Sequence, residues 1–191
     1  MNQSKTLFRT RDLTISAMFC ALTAVLSQVI IPLEPVPFSF GLMGVLLTSA
    51  ILDTKSAFAA QLSYLLLGAV GIPVFSSFGS GPQKLIGPTG GYLFSYALIS
   101  LVCGLLFQHV FRRRSFIETA FVLIIGVAIC HLCGSLWLSY LMDLSFMQAL
   151  GIGSLPFLAF DLLKAVFSAM VSVRVRRSLL QYSLIADGLD Q

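Results

Sequence analysis

Six apolar runs, near 12–31, 38–52, 56–70, 91–111, 119–140 and 155–173, fill most of the 191 residues and are parted by Pro, Gly or charged clusters. A helix needs about 20 apolar residues to cross the roughly 30 Å hydrocarbon layer of a bilayer. Lipid admits only structures that satisfy their own backbone hydrogen bonds. The pattern therefore predicts an all-α polytopic membrane protein with six transmembrane helices, forming a single membrane domain over residues 1–191. A content of 57% hydrophobic and only 10% charged residues, with 16 phenylalanines, lies outside the range of soluble domains. The second and third runs are short, about 15 residues or 22 Å of helix, so their ends are expected to thin the bilayer or to be sheltered by neighbours. The first run is longer than the apolar part of a secretory leader, which predicts a retained helix.

Orientation follows from the basic residues, which are retained on the cytoplasmic side. Lys5, Arg9, Arg11, Lys55, Arg112, Arg113, Arg114, Arg174, Arg176 and Arg177 all fall on one side, whereas Lys84 alone lies in an opposite loop. Both termini are thus expected in the cytoplasm, with 32–37, 71–90 and 141–154 as outer loops and 178–191 as a short inner tail. Because the positive charge follows the loops and forms no stripe, nucleic acid is not an expected partner. Membrane lipid is.

Two features break the apolar pattern. Residues 71–91 carry six glycines and three prolines, too many for a helix interior, yet retain Val74, Phe75, Phe78, Leu85 and Ile86. Such a loop is expected to fold back over a cavity, where irregular backbone is tolerated at membrane depth. The second feature is Asp161 and Lys164 inside the sixth run. A charge at mid-helix costs on the order of 2.5–3.5 kcal/mol on insertion scales, which makes it a candidate for function. At spacing i, i+3 the two side chains share one face. If the helix begins near Leu155, they lie about 9 Å and about 13 Å from its outer end, on the side from which the loop comes. Two readings stand: a structural ion pair, or a site for an anionic or zwitterionic small molecule held by Lys164 and oriented by Asp161. The nearby loop favours the second.

Other motifs are weaker. Ala17, Ala21 and Ala24 make a small-residue stripe on the first helix, suited to close helix approach within the chain or to docking of a partner. Cys130 and Cys133 have metal-ligand spacing but no second pair, so they read as packing and no metal is expected. His131 and Ser135 lack a nucleophile elbow or supporting acid and read as helix–helix hydrogen bonding. Gly79-Ser-Gly-Pro-Gln-Lys84 lacks the Gly-Lys-Ser/Thr ending of a phosphate loop. Trp137 and Tyr140 read as interfacial anchors.

The segments Ile31-Pro-Leu-Glu-Pro-Val-Pro-Phe38, Tyr64-Leu-Leu-Leu-Gly-Ala-Val-Gly-Ile-Pro-Val-Phe75 and Gly87-Pro-Thr-Gly-Gly-Tyr92, in this order and spacing, together with the Asp-x-x-Lys pair Asp161 and Lys164, resemble the BioY family, the biotin-specific substrate-binding subunits of energy-coupling-factor (ECF) vitamin transporters. The chain departs from that pattern at Ser39-Phe-Gly41, where many relatives continue with Thr and then Gln, and at Pro82-Gln-Lys84. The resemblance implies a six-helix fold of the inner membrane with an outward-facing biotin pocket. It also implies that Ala17 and Ala21, with Ala24, dock onto a transmembrane coupling protein whose two cytoplasmic ATPases drive release.

On this reading the chain takes up biotin and is not an enzyme, and it needs no cofactor. Its substrate-binding residues are expected to be Asp161, Lys164, Tyr92, Phe75, Phe78, Gly79, Gln83, Gly87, Thr89 and Gly90. A carrier for another vitamin or small anion, a membrane-embedded enzyme and a ligand-free scaffold are the alternatives.

Overall fold

The computed structural model describes residues 10–32 and 36–182. Lys5 and Arg9, used above for orientation, lie outside the described residues, as do residues 33–35 of the first motif and the tail beyond 182. The described chain is all-α apart from one small ribbon. Its elements are α1 (Thr10–Ser27), β1 (Ile30–Ile31), β2 (Phe38–Ser39), α2 (Gly41–Ile51), α3 (Thr54–Ala69), a 3-10 turn at Ser76–Phe78, α4 (Pro82–Ile86), α5 (Gly90–His109), α6 (Phe116–Met142), α7 (Phe146–Gly153) and α8 (Leu155–Gln181). Of these, α5, α6 and α8 are long and apolar enough to cross a membrane.

The boundaries differ from the hydropathy pattern where local hydrogen bonding overrides it. Ile30 pairs with Ser39 and Ile31 with Phe38 in an antiparallel ribbon, a use that suits β-branched and aromatic side chains. The ribbon ends the first helix early and delays the second. As a result α2 has 11 residues, about 16 Å of helix. Ten of its positions are buried, with Met43 the exception. The chain therefore shelters this short segment, chiefly between α1, α5 and α8. Residues 141–154 are not merely a loop: Ser145 and Gln148 form a reciprocal capping box that starts α7. Within 71–91, Pro82 opens the one-turn helix α4 at a position where a missing N–H is harmless. Finally, α8 continues to Gln181, so Arg174, Arg176 and Arg177 are helical.

Polar side chains stitch α1, α2 and α3 together inside the apolar core. Gln61 Nε2 on α3 donates to Thr23 Oγ1 on α1 and to Thr48 Oγ1 on α2, at 3.1 Å each. Tyr64 Oη shares a 2.9 Å hydrogen bond with Ser27 Oγ. Gly44 lets α2 approach the backbone of Thr23. The irregular 71–91 segment is pinned by Phe75, 1% exposed, whose ring fills the space a Cβ on Gly68 would take and meets Tyr64 edge-on at 5.4 Å.

Gly68→Ala is therefore expected to lower the thermal midpoint of the detergent-purified protein, since overpacking of this kind costs about 1–3 kcal/mol. Gly151→Ala on α7, where a Cβ meets nothing within 4 Å, is expected to leave the midpoint unchanged or raise it. A calorimetric or fluorescence melt of the two variants checks both.

Candidate functional site

Asp161 and Lys164 lie on the buried face of α8, each 6% exposed. Lys164 Nζ donates to Asp161 Oδ1 at 2.7 Å and to the backbone carbonyl of Ser39 at 2.7 Å. The ribbon thus presents a main-chain acceptor to the ammonium. Nζ also stands 3.7 Å from the centroid of the Phe38 ring and 5.1 Å from that of Phe40, close enough for cation–π attraction in a desolvated site. The second carboxylate oxygen, Asp161 Oδ2, faces His131 Nε2 of α6 at 3.2 Å. That contact is not an aligned hydrogen bond, and both ring nitrogens of His131 are buried without a hydrogen-bond partner among the described residues.

These groups wall a cavity of about 60 Å³ with a polar corner and apolar sides. Phe38, Leu42, Leu93 and Phe157 supply apolar surface, while the hydroxyl-bearing residues Ser39, Ser76, Thr89, Tyr92 and Tyr96 complete the lining. Phe38 stacks on Phe157 with centroids 5.8 Å apart. A mostly apolar pocket with a few convergent polar groups can hold an organic anion by its charge and its body at once.

Of the residues the sequence pointed to, Asp161, Lys164, Tyr92 and Thr89 line this cavity. Tyr92 contributes its ring more than its hydroxyl, because Oη donates to Gly153 O at 2.7 Å at the α7–α8 junction. Its ring occupies space left open by Gly134. Phe75, Phe78, Gly79, Gln83, Gly87 and Gly90 are not among the lining residues. Phe75 is inserted against Gly68 and Phe78 is 71% exposed. Gly79 closes the turn by exchanging backbone hydrogen bonds with Phe75, and Gln83 folds over Gly81. Gly87 accepts a 2.9 Å hydrogen bond from Trp137 Nε1, and Gly90 admits the Leu85 carbonyl. The 71–91 segment thus reaches the cavity through Ser76 and Thr89, while its glycines make the turns that carry it there.

Several participants escaped the sequence reading. His131 was expected to make a helix–helix contact and does so, but its partner, Asp161 on α8, was not identified. Trp137, taken for an interfacial anchor, holds the 71–91 segment through Gly87. Gln28 clamps the same segment, donating from Nε2 to Val74 O and Phe75 O and accepting from Phe78 N. Phe38 and Ser39 came from a stretch that looked like an ordinary helix start. On α1, Ala17 and Ala21 are exposed and Ala24 is half-buried against the core, while Ser16, Cys20, Thr23 and Ser27 form the packed face.

The sequence pattern of the BioY family matches residues 1–181. The chain belongs to the BioY family. A biotin transporter BioY of Thermotoga maritima is 38% identical, over 87% of this chain and 96% of that protein. A probable biotin transporter BioY of Pyrococcus horikoshii is 31% identical, over 88% and 98%. A biotin transporter BioY2 of Lactococcus lactis is 34% identical, over 88% and 91%. The fold matches a crystal structure of the S-component for biotin from an ECF-type ABC transporter, with a TM-score of 0.80 at 24% identity over 93% of this chain and 95% of that one. This BioY-family chain is accordingly a multi-pass membrane protein with the S-component fold.

Lys164→Met leaves Asp161 buried without its cation and is expected to destabilise the protein strongly, by about 3–5 kcal/mol, the usual penalty for breaking a buried pair. The double variant Asp161→Leu/Lys164→Met removes both charges and is expected to regain most of that loss. Melting midpoints of the single and double variants measure the coupling.

Proposed function

We propose that this chain is the substrate-binding subunit of an ECF-type importer and captures biotin in the cavity beneath Asp161 and Lys164. The buried lysine carries the reading: an ammonium held between a carboxylate, a main-chain carbonyl and two aromatic rings is poised to accept an anionic ligand. Biotin offers a carboxylate for Lys164, a ureido ring for hydrogen bonds and a bicyclic apolar body for Phe38, Tyr92, Tyr96 and Phe157. Asp161 holds and aims Lys164, and Thr89 and Ser76 supply further polar contacts at the rim. A cavity of about 60 Å³ is smaller than the roughly 300 Å³ of ordinary small-molecule sites, so a seated ligand displaces side chains that now fill it. The irregular segment belongs to the site as its cover, with Phe75, Phe78, Gly79, Gln83, Gly87 and Gly90 shaping that cover.

In this reading the chain is one membrane domain whose six long helices, α1, α2, α3, α5, α6 and α8, traverse the inner membrane, with both ends in the cytoplasm and the Asp161 cavity opening outward. Ala17 and Ala21, bordered by Ala24, form the face on which a transmembrane coupling protein docks, with cytoplasmic ATPases behind it and lipid around the remainder. Their exposure on α1 supports this, since the opposite face of that helix is already spent on α2 and α3.

Purified protein is expected to bind labelled biotin, with unlabelled biotin competing and thiamine and riboflavin failing to compete. Lys164→Ala should weaken binding about 10- to 100-fold, the worth of a charge-assisted hydrogen bond; unchanged affinity would remove Lys164 from the site. Ala21→Trp is expected to abolish uptake by cells while biotin binding by the purified protein persists. Loss of both activities would instead mark Ala21 as a packing residue.

A further inference from the structure

At the end of the bundle away from Asp161 and Lys164 lies a second cavity, about 190 Å³, built from α2, the turn between α5 and α6, α6 and α8. Lys164 and Arg176 are 12 residues apart on α8, about 18 Å along the helix. Five of the chain's 12 basic residues line this space: Arg112, Arg113 and Arg114 from the turn between α5 and α6, and Arg176 and Arg177 from α8. No Asp or Glu is among its described lining residues.

Two of the arginines hold the walls. Arg114 Nη1 donates to Ala50 O at 2.8 Å and to Leu52 O at 3.2 Å, with its guanidinium 4.6 Å from the Phe107 ring centroid. Arg176, 7% exposed, donates to Ile51 O. Both thereby cap the C-terminal carbonyls of α2, where a cation is favoured. The cap accounts for two guanidinium groups, and Arg112 Nε donates to Gln108 O near the end of α5 at 3.0 Å, which leaves the convergence of Arg113 and Arg177 on the same space unexplained. A further lining residue, Thr119 in the first turn of α6, is 1% exposed, and its hydroxyl has no hydrogen-bond partner among the described residues. Retention of positive charge at one membrane face requires only that basic residues be present there. It does not require five of them to surround one cavity with a buried hydroxyl in its wall.

We infer that this cavity binds a phosphate-bearing anion, either the headgroup of an anionic phospholipid or a free phosphate. Forked guanidinium donors match phosphate oxygens in pairs, and an anion among them removes the repulsion of five like charges. The inference does not depend on biotin being the ligand at the other end.

The test compares the full-length protein with Arg113→Gln/Arg177→Gln, which leaves the two capping arginines intact. Melting midpoints are read in detergent with inorganic phosphate, with short-chain phosphatidylglycerol, with short-chain phosphatidylcholine, and with chloride at matched ionic strength. Lipids retained from mixed phosphatidylglycerol and phosphatidylcholine vesicles are counted by native mass spectrometry. The expected result is a raised midpoint with phosphatidylglycerol or phosphate, absent with phosphatidylcholine and chloride, and lost or strongly reduced in the double variant. A response to phosphate alone identifies a free anion, and preferential retention of phosphatidylglycerol identifies the lipid. Thr119→Val, which keeps all five guanidinium groups, should weaken the same response. No response in the parent protein, or an equal response in all variants, overturns the site. So does a response that appears only in Asp187→Asn/Asp190→Asn, because the chain's own tail would then be the occupant.

Discussion

The pair formed by Asp161 and Lys164 organises the site half of this protein. Placing either charge alone in a lipid-surrounded core is costly, so each depends on the other and on what surrounds them. The carboxylate reaches Lys164 along its own helix and His131 across to α6. The ammonium reaches the Ser39 carbonyl on the ribbon. One ion pair thereby ties together α8, α6 and the segment joining α1 to α2. The two-stranded ribbon gains a reason to exist, since a helix continued through Ser39 would use that carbonyl internally and turn Phe38 away.

A second constraint is the demand that irregular backbone be satisfied internally when it lies close to lipid. The 71–91 segment meets it by borrowing side chains from its neighbours. Gln28 at the end of α1 and Trp137 on α6 bond its carbonyls and one of its amides, and Phe75 plugs into the bundle at Gly68. The glycines serve as passages through tight backbone and the prolines as starts and stops. The segment is thus a fixed part of the fold.

The all-α architecture was legible in the apolar runs because lipid leaves so few other solutions, and Asp161 and Lys164 stood out for the same reason. The glycine-rich stretch announced its irregularity. Which of its residues face the cavity was not readable, because Phe75 and Phe78 look alike in sequence while one is buried in the core and the other exposed. His131 was visible as an ionisable group but not as the neighbour of Asp161, since that contact joins residues 30 positions apart on two helices. Helix α7 was missed because eight residues give too short a pattern. Its signal was the Ser145/Gln148 cap. The ribbon was missed because Phe38 and Ser39 continue an apolar run without a break.

The burial of α2 bears on how such a chain can change over time. Ten of its eleven positions are enclosed by other helices, and Gly44 lies against the Thr23 backbone with no space for a side chain. A substitution there has to be matched by a compensating one on α1, α5 or α8. The exposed side of α1, by contrast, can change with little consequence for the fold. Among relatives, α2 should therefore diverge slowly and in concert with its neighbours, so that the shortest of the long helices serves as the slowest clock in the sequence.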